Sequence, residues 1–383
     1  MAHQKNKMVA LAKRLLEHNL NGTTDQAEKI LRKSVSDYTD KDLIQSEVDK
    51  IFKNFPLPIA LSIELPDNGT YKTFDVINTP ILLTRDEKGK ARAFINVCKH
   101  RGAPICEKGK GRKTKFSCTY HGWTYDNKGK LINIFKSDTF GDIDKSKIKL
   151  TELFCEERSG FLWVCINPDH NCDLDNWMSG FDEELNEIGL GDWHLYKQRT
   201  LSGPSWKICW DGYLDGYHHH MVHPETVGKN TIVNLIAHDT YGPHQRFAFG
   251  KKNINELTKI NEKDWEPEEY IRLIHSGFPN LSISAILNQF CLVSMVYPTQ
   301  DLEGTITVQN ILCQKEPKTE KEVKEAEDFS DLTLKAVKDE DYVMNFKIQE
   351  GINSKGNSEF IFGKNEPIQQ HYHNWIDKLC NQQ

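Results

Sequence analysis

The stretch CKHRGAPICEKGKGRKTKFSCTYHGW, residues 98–123, decides how the chain is interpreted. It contains two Cys/His pairs, Cys98 with His100 and Cys118 with His121, each just after a run of β-forming residues. A glycine follows each pair, and a residue without a side chain lets the backbone approach a metal centre closely. Two such loops can point thiolate and imidazole ligands at a common point.

The order of these four ligands favours one kind of metal centre over another. A structural zinc site takes the same set, but zinc fingers usually present two cysteines and then two histidines. Here cysteine and histidine alternate, which suits a [2Fe–2S] cluster with both thiolates on one iron and both imidazoles on the other. The segments CKHRGAPI and CTYHGWTYDNKGKL resemble the Rieske signature of the ring-hydroxylating oxygenases. The resemblance implies that the cluster ligands are Cys98, His100, Cys118 and His121.

A second motif, SWKICWDGYLDGYHHHMVHP at residues 205–224, is rich in histidine. Two imidazoles and one carboxylate form the facial triad of non-heme iron(II) sites, which leaves positions open for O₂ and substrate. On a regular helix His219 and His223 would share a face, whereas His218 and His223 would not. The spacing alone therefore leaves the ligands undecided, and a solvated histidine run is the alternative.

Resemblance to the same family selects among these histidines. Asp215-Gly-Tyr-His218 followed by His223-Pro matches the catalytic-domain motif of Rieske oxygenases. It implies that His218 and His223 bind a mononuclear iron and that Asp215 is a bridge directed toward a cluster histidine. The chain departs from the family at two positions that usually hold asparagine, where it has Gly212 and Ser205. Iron binding is still expected, but with different hydrogen bonds around the site.

The third iron ligand is expected far downstream. Asp339, Glu340 and Asp341 are the candidate acids, although acids also simply favour helix N-termini. Relatives carry an acid eight residues before the glutamine of a Val-Gln-x-Gly segment, which residues 348–351 resemble. Counting back from Gln349 gives Asp341, with Glu340 as the alternative.

The hydrophobic periodicity and the turn residues predict three regions and an α+β fold. Residues 1–53 have helical spacing and are expected to pack on the catalytic domain, and 54–168 alternate short β runs with turns. Residues 169–383 combine strands with helices predicted over 210–222 and 319–351, which favours a helix on an antiparallel sheet. By resemblance, 54–168 is the Rieske domain and 169–383 a helix-grip catalytic domain.

Composition narrows the class of protein. A net charge of −6 argues against a nucleic-acid partner, and neither a spanning apolar segment nor a signal peptide is found in the 383 residues. Ten cysteines without an export signal are expected to be reduced or metal-bound, which predicts a cytoplasmic protein.

The resemblance implies an activity and its partners. The protein is expected to be a terminal oxygenase that hydroxylates a small organic substrate, aromatic compounds included, by mono- or dioxygenation or oxidative dealkylation. No dinucleotide-binding fingerprint is present, so electrons are expected from a separate ferredoxin or flavin reductase. A homotrimer is implied as well. A Rieske-type electron carrier and a zinc-stabilised binding module are the alternatives.

Overall fold

The computed structural model of the protein describes residues 2–287 and 289–381. The chain divides into two compact units, named here the large unit and the small unit. The large unit contains Met1–Ile51, Met178–Ile188 and Trp193–Gln383, and the small unit contains Phe52–Trp177 and Gly189–Asp192. The predicted N-terminal helices thus lie in the large unit, while the predicted domain boundaries stay a prediction. Among the described helices, none is long and apolar enough to cross a bilayer.

The N-terminal part of the large unit is helical, as its spacing predicts. Asp40 caps one of its helices, because its carboxylate accepts from the backbone N–H groups of Asp42 and Leu43. The elements are α1 (Ala2–Asn21), β1 (Leu31–Ser34), α2 (Ser36–Thr39), α3 (Lys41–Glu47) and a π-helical turn (Val48–Phe52).

The small unit is built on antiparallel sheets, as the β runs predict. A seven-stranded sheet has the order β2-β11-β10-β5-β4-β3-β6, and a three-stranded sheet has the order β7-β8-β9. The elements are β2 (Leu57–Leu61), β3 (Thr70–Val76), β4 (Thr79–Arg85), β5 (Ala91–Ile95), β6 (Lys110–Arg112), β7 (Lys115–Ser117), β8 (Thr124–Asp126), β9 (Leu131–Asn133), α4 (Ser137–Phe140), β10 (Glu152–Arg158), β11 (Phe161–Cys165) and α5 (Leu174–Met178).

The rest of the large unit forms a second seven-stranded antiparallel sheet, in the order β12-β18-β17-β16-β15-β14-β13, and helices. A separate pair joins β1 to β19. The elements are α6 (Phe181–Ile188), β12 (His194–Gly203), α7 (Trp206–Leu214), α8 (His219–Val222), β13 (Thr231–Tyr241), β14 (His244–Lys251), β15 (Ile271–Gly277), β16 (Leu281–Leu287), β17 (Phe290–Pro298), β18 (Thr305–Cys313), α9 (Glu320–Leu334), a π-helical segment (Lys335–Asp341), α10 (Tyr342–Asn353), β19 (Glu359–Phe362) and α11 (Pro367–Asn381). The α+β class and the helix-on-sheet arrangement are confirmed.

The helix predicted over 210–222 is wrong in one respect. It is two helices, because α7 ends at Leu214 and Asp215 is extended, with φ −86° and ψ 125°. The Asp215 carboxylate accepts from the backbone N–H of Tyr217 at 2.6 Å, a local bond that competes with helix continuation. The break places two of the predicted iron ligands at the ends of α8.

Apolar faces attach helices to the large sheet. Leu11 and Leu15 of α1 are buried against Leu235 of β13 and Ala248 of β14. The long C-terminal helical run begins at a capping box formed by Thr319 and Glu322. That run carries the predicted acids.

Candidate metal centres

Two histidines flank the short helix α8 of the large unit. His218 immediately precedes α8 and His223 immediately follows it. The side chain of His223 is buried, whereas that of His218 is partly accessible. The two rings lie with their Nε2 atoms 3.1 Å apart. The histidines that a regular helix would separate are therefore brought together by the loop after α7.

Two adjacent acids, Glu340 and Asp341, both contact the ring of His223. On a regular α-helix adjacent side chains diverge by about 100°. Here Glu340 and Asp341 belong to a π-helical segment, a local widening of the helix that recurs at functional sites. Glu340 Oε2 lies 2.6 Å from His223 Nδ1, and Asp341 Oδ1 lies 2.8 Å from His223 Nε2. Glu340 thus holds the far side of the ring, and Asp341 faces the space between the histidines.

The three predicted ligands of the mononuclear iron converge in one place. One ligand atom each from His218, His223 and Asp341 all lie within 4.8 Å of one another. Asp341 Oδ1 is 3.3 Å from His218 Nε2. Two imidazoles and one carboxylate on a single side are the donor set of the facial triad.

The protons of the two rings show that this donor set suits a cation. Nδ1 of His218 lies 2.9 Å from Asp215 Oδ2, and Nδ1 of His223 lies 2.6 Å from Glu340 Oε2. Each Nδ1 therefore donates to a carboxylate, which in the neutral ring leaves Nε2 as a lone pair. Two lone pairs and a carboxylate oxygen that face each other need a positive charge between them. An iron(II) ion fits these residues, with Asp215 and Glu340 orienting the ligands.

The charges at the site agree with this conclusion. Burial opposes ionisation of Asp341, but the neighbouring imidazoles of His218 and His223 outweigh that effect and lower the pKa of this carboxyl. Burial disfavours the charged form of His218, yet Asp215 and Asp341 raise its pKa to about 10. Without a metal, a proton on His218 is the positive charge that stabilises the neighbouring carboxylates of Asp215 and Asp341.

The sequence did not predict the role in which the structure places Glu340. It was expected only as an alternative ligand, whereas it accepts from His223 Nδ1 and also from Thr226 Oγ1, at 2.6 Å. Only the spacing of acids in the helix pointed to it. Asp215 lies beside His218 within the same chain, and its role toward a cluster histidine stays a prediction.

The two departures from the family pattern have structural counterparts. A side chain at Gly212 would meet the amide of Asn345, whose Nδ2 lies 3.1 Å from the position of an added Cβ. An amide from α10 thus occupies the space that an asparagine at position 212 would use. Ser205 is the N-cap residue of α7, and its backbone N–H donates to Gln349 Oε1 at 3.3 Å.

Two cavities of the large unit adjoin the triad. One of about 300 Å³ opens between α7, α10 and β19 and reaches Asp215, His218 and Asp341. The other, about 100 Å³, lies on the sheet side and is bounded by all three triad residues. A small organic molecule in the second cavity would touch both the sheet and the metal ligands.

The cluster ligands of the small unit lie on two loops with the same hydrogen-bond pattern. Cys98 N–H donates to the Ala103 carbonyl at 2.8 Å, and Cys118 N–H donates to the Trp123 carbonyl at 2.8 Å. A glycine with positive φ closes each loop, at Gly102 (+78°) and Gly122 (+68°).

These loops bring the predicted ligands together. Cys98 and Cys118 are buried in one apolar cluster. The rings of His100 and His121 have centroids 4.7 Å apart, and Nδ1 of His100 is buried without a hydrogen-bond partner in the described part of the chain. An orphaned imidazole nitrogen beside buried thiols fits a [2Fe–2S] cluster.

The surroundings of each centre combine polar support with exposed apolar side chains. In the small unit Tyr125 Oη contacts Cys98 Sγ at 3.5 Å, and exposed Tyr120 lies against His121. In the large unit Tyr217 and Met221, beside His218, are 57% and 79% exposed.

Comparisons with known proteins agree with both centres. Residues 190–382 match the family model of the ring-hydroxylating alpha subunit, catalytic domain, and residues 55–143 match that of the Rieske [2Fe–2S] domain.

Named relatives differ in substrate. The glycine betaine monooxygenase oxygenase subunit of Chromohalobacter salexigens is 27% identical over 278 residues, covering 70% of this chain and 60% of that one. The chlorobenzene dioxygenase subunit alpha of a Cupriavidus species is 30% identical over 213 residues, covering 52% and 47%. The chain therefore spans about half to three fifths of the length of these relatives. A solved quaternary ammonium Rieske monooxygenase has the same fold, with a TM-score of 0.79, 21% identity and coverage of 92% and 96%.

Proposed function

Because the chain belongs to the family of ring-hydroxylating oxygenase alpha subunits, we propose that it is a terminal oxygenase that hydroxylates a small organic substrate with O₂ and externally supplied electrons. The observation that carries the proposal is the convergence of His218, His223 and Asp341 within 4.8 Å beside a cavity. Monooxygenation, dioxygenation and oxidative dealkylation are all open to such a site.

The proposed ligands form two metal centres, a [2Fe–2S] cluster site and a mononuclear iron site. Cys98, His100, Cys118 and His121 would hold the [2Fe–2S] cluster, and the triad would hold the mononuclear iron. When bound, the two groups supply electron transfer and O₂ activation. Three protein ligands leave coordination positions open for oxygen and substrate.

The chain's own side chains prepare the iron site. Asp215 and Glu340 keep each ring in the tautomer that presents Nε2 to the metal. In addition, the buried face of His223 restricts water on that side, while the partly exposed His218 lies near the surface. For insertion of one oxygen atom, a C–H bond becomes C–OH while two electrons and two protons reduce the second oxygen atom to water.

The electrons are proposed to come from a separate ferredoxin or flavin reductase. The exposed apolar side chains around the cluster histidines, Tyr120, Phe135 and Phe140, support docking of a protein partner at that end of the small unit. We also propose a homotrimer in which the cluster of one chain serves the iron of its neighbour. Exposed Tyr217 and Met221 beside His218 support such a contact on the iron side. Ten cysteines without a disulfide in the described residues support a reducing, cytoplasmic location.

Metal analysis with single turnover tests the proposal. The expected protein is red-brown and holds three irons per chain, two of them in the cluster. Chemically reduced protein exposed to O₂ with substrate should yield hydroxylated product. Cluster iron without mononuclear iron would indicate an electron carrier, and zinc without visible absorption would indicate a binding module.

A further inference from the structure

The smaller cavity has a largely apolar lining, with a few polar side chains on its sheet side. Side chains two residues apart on a strand point to the same face of the sheet. The cavity is therefore lined by Arg272 and Ile274 of β15 and by Ser282 and Ser284 of β16. Ser282 also pairs with Ser276, which keeps both hydroxyls on the face that carries Arg272. The Ser282 hydroxyl is buried and has no hydrogen-bond partner among the residues the structure describes. A buried hydroxyl without a partner costs free energy unless a bound molecule forms a hydrogen bond with it.

Apart from the triad, Arg272 is the charged side chain that lines this cavity in the described part of the chain, and it is largely unpaired. A guanidinium carries five N–H donors. Nη2 donates to the Val227 carbonyl at 3.4 Å, a long bond, while Nε is buried without a partner in the described part of the chain. Burial lowers the pKa of Arg272, and none of the described carboxylates offsets that effect.

Nearby charges do not neutralise it either. His219 lines the same cavity and adds no negative charge to it. Lys251 adds a second cation close enough for Arg272 to lower its pKa, after burial, which contributes most. By contrast, Arg246 in the neighbouring strand contacts both Glu184 and Asp239. Buried charges are normally paired, so the arrangement at Arg272 lacks an anion.

We propose that Arg272 binds a carboxylate of the substrate, so that the substrates are small organic acids rather than neutral hydrocarbons. The inference rests on the proposed oxygenase function and names its substrate class. The planar guanidinium fork matches a carboxylate one to one, and the single charge balances a monoanion better than a phosphate dianion. Ser282, which lines the same cavity further along the sheet, offers a hydrogen-bonding group to another part of the substrate. A cavity of about 100 Å³ limits the ligand to a small molecule.

Binding to the purified holoenzyme tests this role apart from turnover. Calorimetric titrations would compare small acids with their primary amides, using an aromatic pair, benzoate and benzamide, and an aliphatic pair, glycine betaine and betaine amide, with further pairs of both kinds. At least one acid is expected to bind more tightly than its amide. Arg272→Gln should weaken that acid on the order of 10- to 100-fold and leave the amide unchanged, since a hydrogen-bonded ion pair is lost.

Two further variants make the test specific. Arg272→Lys keeps the charge without the fork and should weaken the acid by less than Arg272→Gln does. Arg32→Gln removes an arginine from an exposed ion pair with Glu359 and should change nothing. Circular dichroism and the cluster absorbance would establish that each variant is folded, and Arg272→Lys carries the test if Arg272→Gln does not fold.

The outcomes separate this inference from the oxygenase proposal. It is overturned if none of the acids binds better than its amide, or if the preference survives both Arg272 variants. Oxygen uptake that is stimulated by neutral compounds and is unaffected by Arg272→Gln would overturn it while sustaining the oxygenase. If the protein shows no oxygen uptake but binds acids selectively, and Arg272→Gln abolishes that binding, the carboxylate-binding role of Arg272 is supported and the oxygenase function is contradicted.

Discussion

Asp341 and Glu340 are adjacent residues with different positions at the iron site. Asp341 faces both Nε2 atoms, while Glu340 holds Nδ1 of His223. Asp341→Ala is expected to empty the mononuclear site, because two histidines alone lack the neutralising carboxylate. Iron content and cluster absorbance measure this, and the cluster should stay intact.

The neighbouring acids provide the comparison for that experiment. Glu340→Gln should weaken iron binding roughly 10- to 100-fold without abolishing it, as for other groups that orient a ligand. Exposed Asp339, on the same π-helical segment, should tolerate alanine. Full iron in Asp341→Ala with loss in Glu340→Ala would show that the ligand had been misplaced by one residue.

Asp215 is predicted to affect turnover more than metal content. It accepts a hydrogen bond from His218 and, by resemblance, bridges toward a cluster histidine. Asp215→Asn keeps an acceptor oxygen but loses the charge, so both centres should remain while steady-state turnover falls about 10-fold or more. Normal turnover in a fully loaded variant would contradict the bridging role.

Tyr125 is expected to tune the cluster. Its hydroxyl accepts from Lys99 N–H and is therefore free to donate to Cys98 Sγ. Hydrogen bonds to cluster sulfurs stabilise the reduced state, so Tyr125→Phe should lower the reduction potential by tens of millivolts, roughly. A redox titration followed by electron paramagnetic resonance measures the shift. Tyr120→Phe, which removes an exposed hydroxyl near His121, should leave the potential unchanged.

At the scale of elements, Glu184 of α6 joins α1 to the sheet. It contacts Lys7 of α1 and Arg246 of β14, and His275 of β15 lies 3.9 Å away. Burial opposes its ionisation, but His275, Lys7 and Arg246 hold the pKa of this carboxyl far below its usual range.

This network predicts an acid-sensitive contribution to stability. A depressed folded-state pKa stabilises the protein fully above the unfolded pKa, about 4.3, and the contribution is lost as pH falls toward the folded value. Glu184→Gln should lower the free energy of unfolding at pH 7 by about 1–3 kcal/mol. Melting temperatures from pH 7 to 3 should converge with the wild type on acidification. Glu262→Gln, in an exposed pair with Lys13, should have little effect.

At the scale of the whole molecule, the proposed trimer predicts complementation. A closed ring has head-to-tail interfaces, so each iron meets the cluster of a different chain. Cys118→Ser removes a cluster ligand and His223→Ala removes an iron ligand, and each variant alone should be inactive. Co-expressed in equal amounts, they should recover about a quarter of wild-type activity, because a junction needs an intact cluster on one side and an intact iron site on the other, and each is present about half the time.

A double variant provides the control for this experiment. Cys118→Ser mixed with Cys118→Ser/His223→Ala should stay inactive, because the mixture contains no intact cluster. Native mass measurement should show a trimer. A monomer, or mixed oligomers without activity, would show that electrons stay within one chain.

The sequence by itself determined the chemistry of both centres. Alternation of Cys and His at 98–121 and the Asp-Gly-Tyr-His motif at 215–218 are local, and so are the strand and helix periodicities behind the α+β class. The families match at these segments. Ligand type and spacing are short-range properties, and therefore a sequence states them directly.

Only the tertiary structure decided how distant groups act together. The break at Asp215 arises from a side-chain bond that overrides helix periodicity, and it changes which histidines meet. The π-helical segment then aims Glu340 and Asp341 at one ring. In the sequence Arg272 is one cation among many. Its lack of a partner depends on what folding places around it, which is set by packing over more than a hundred residues.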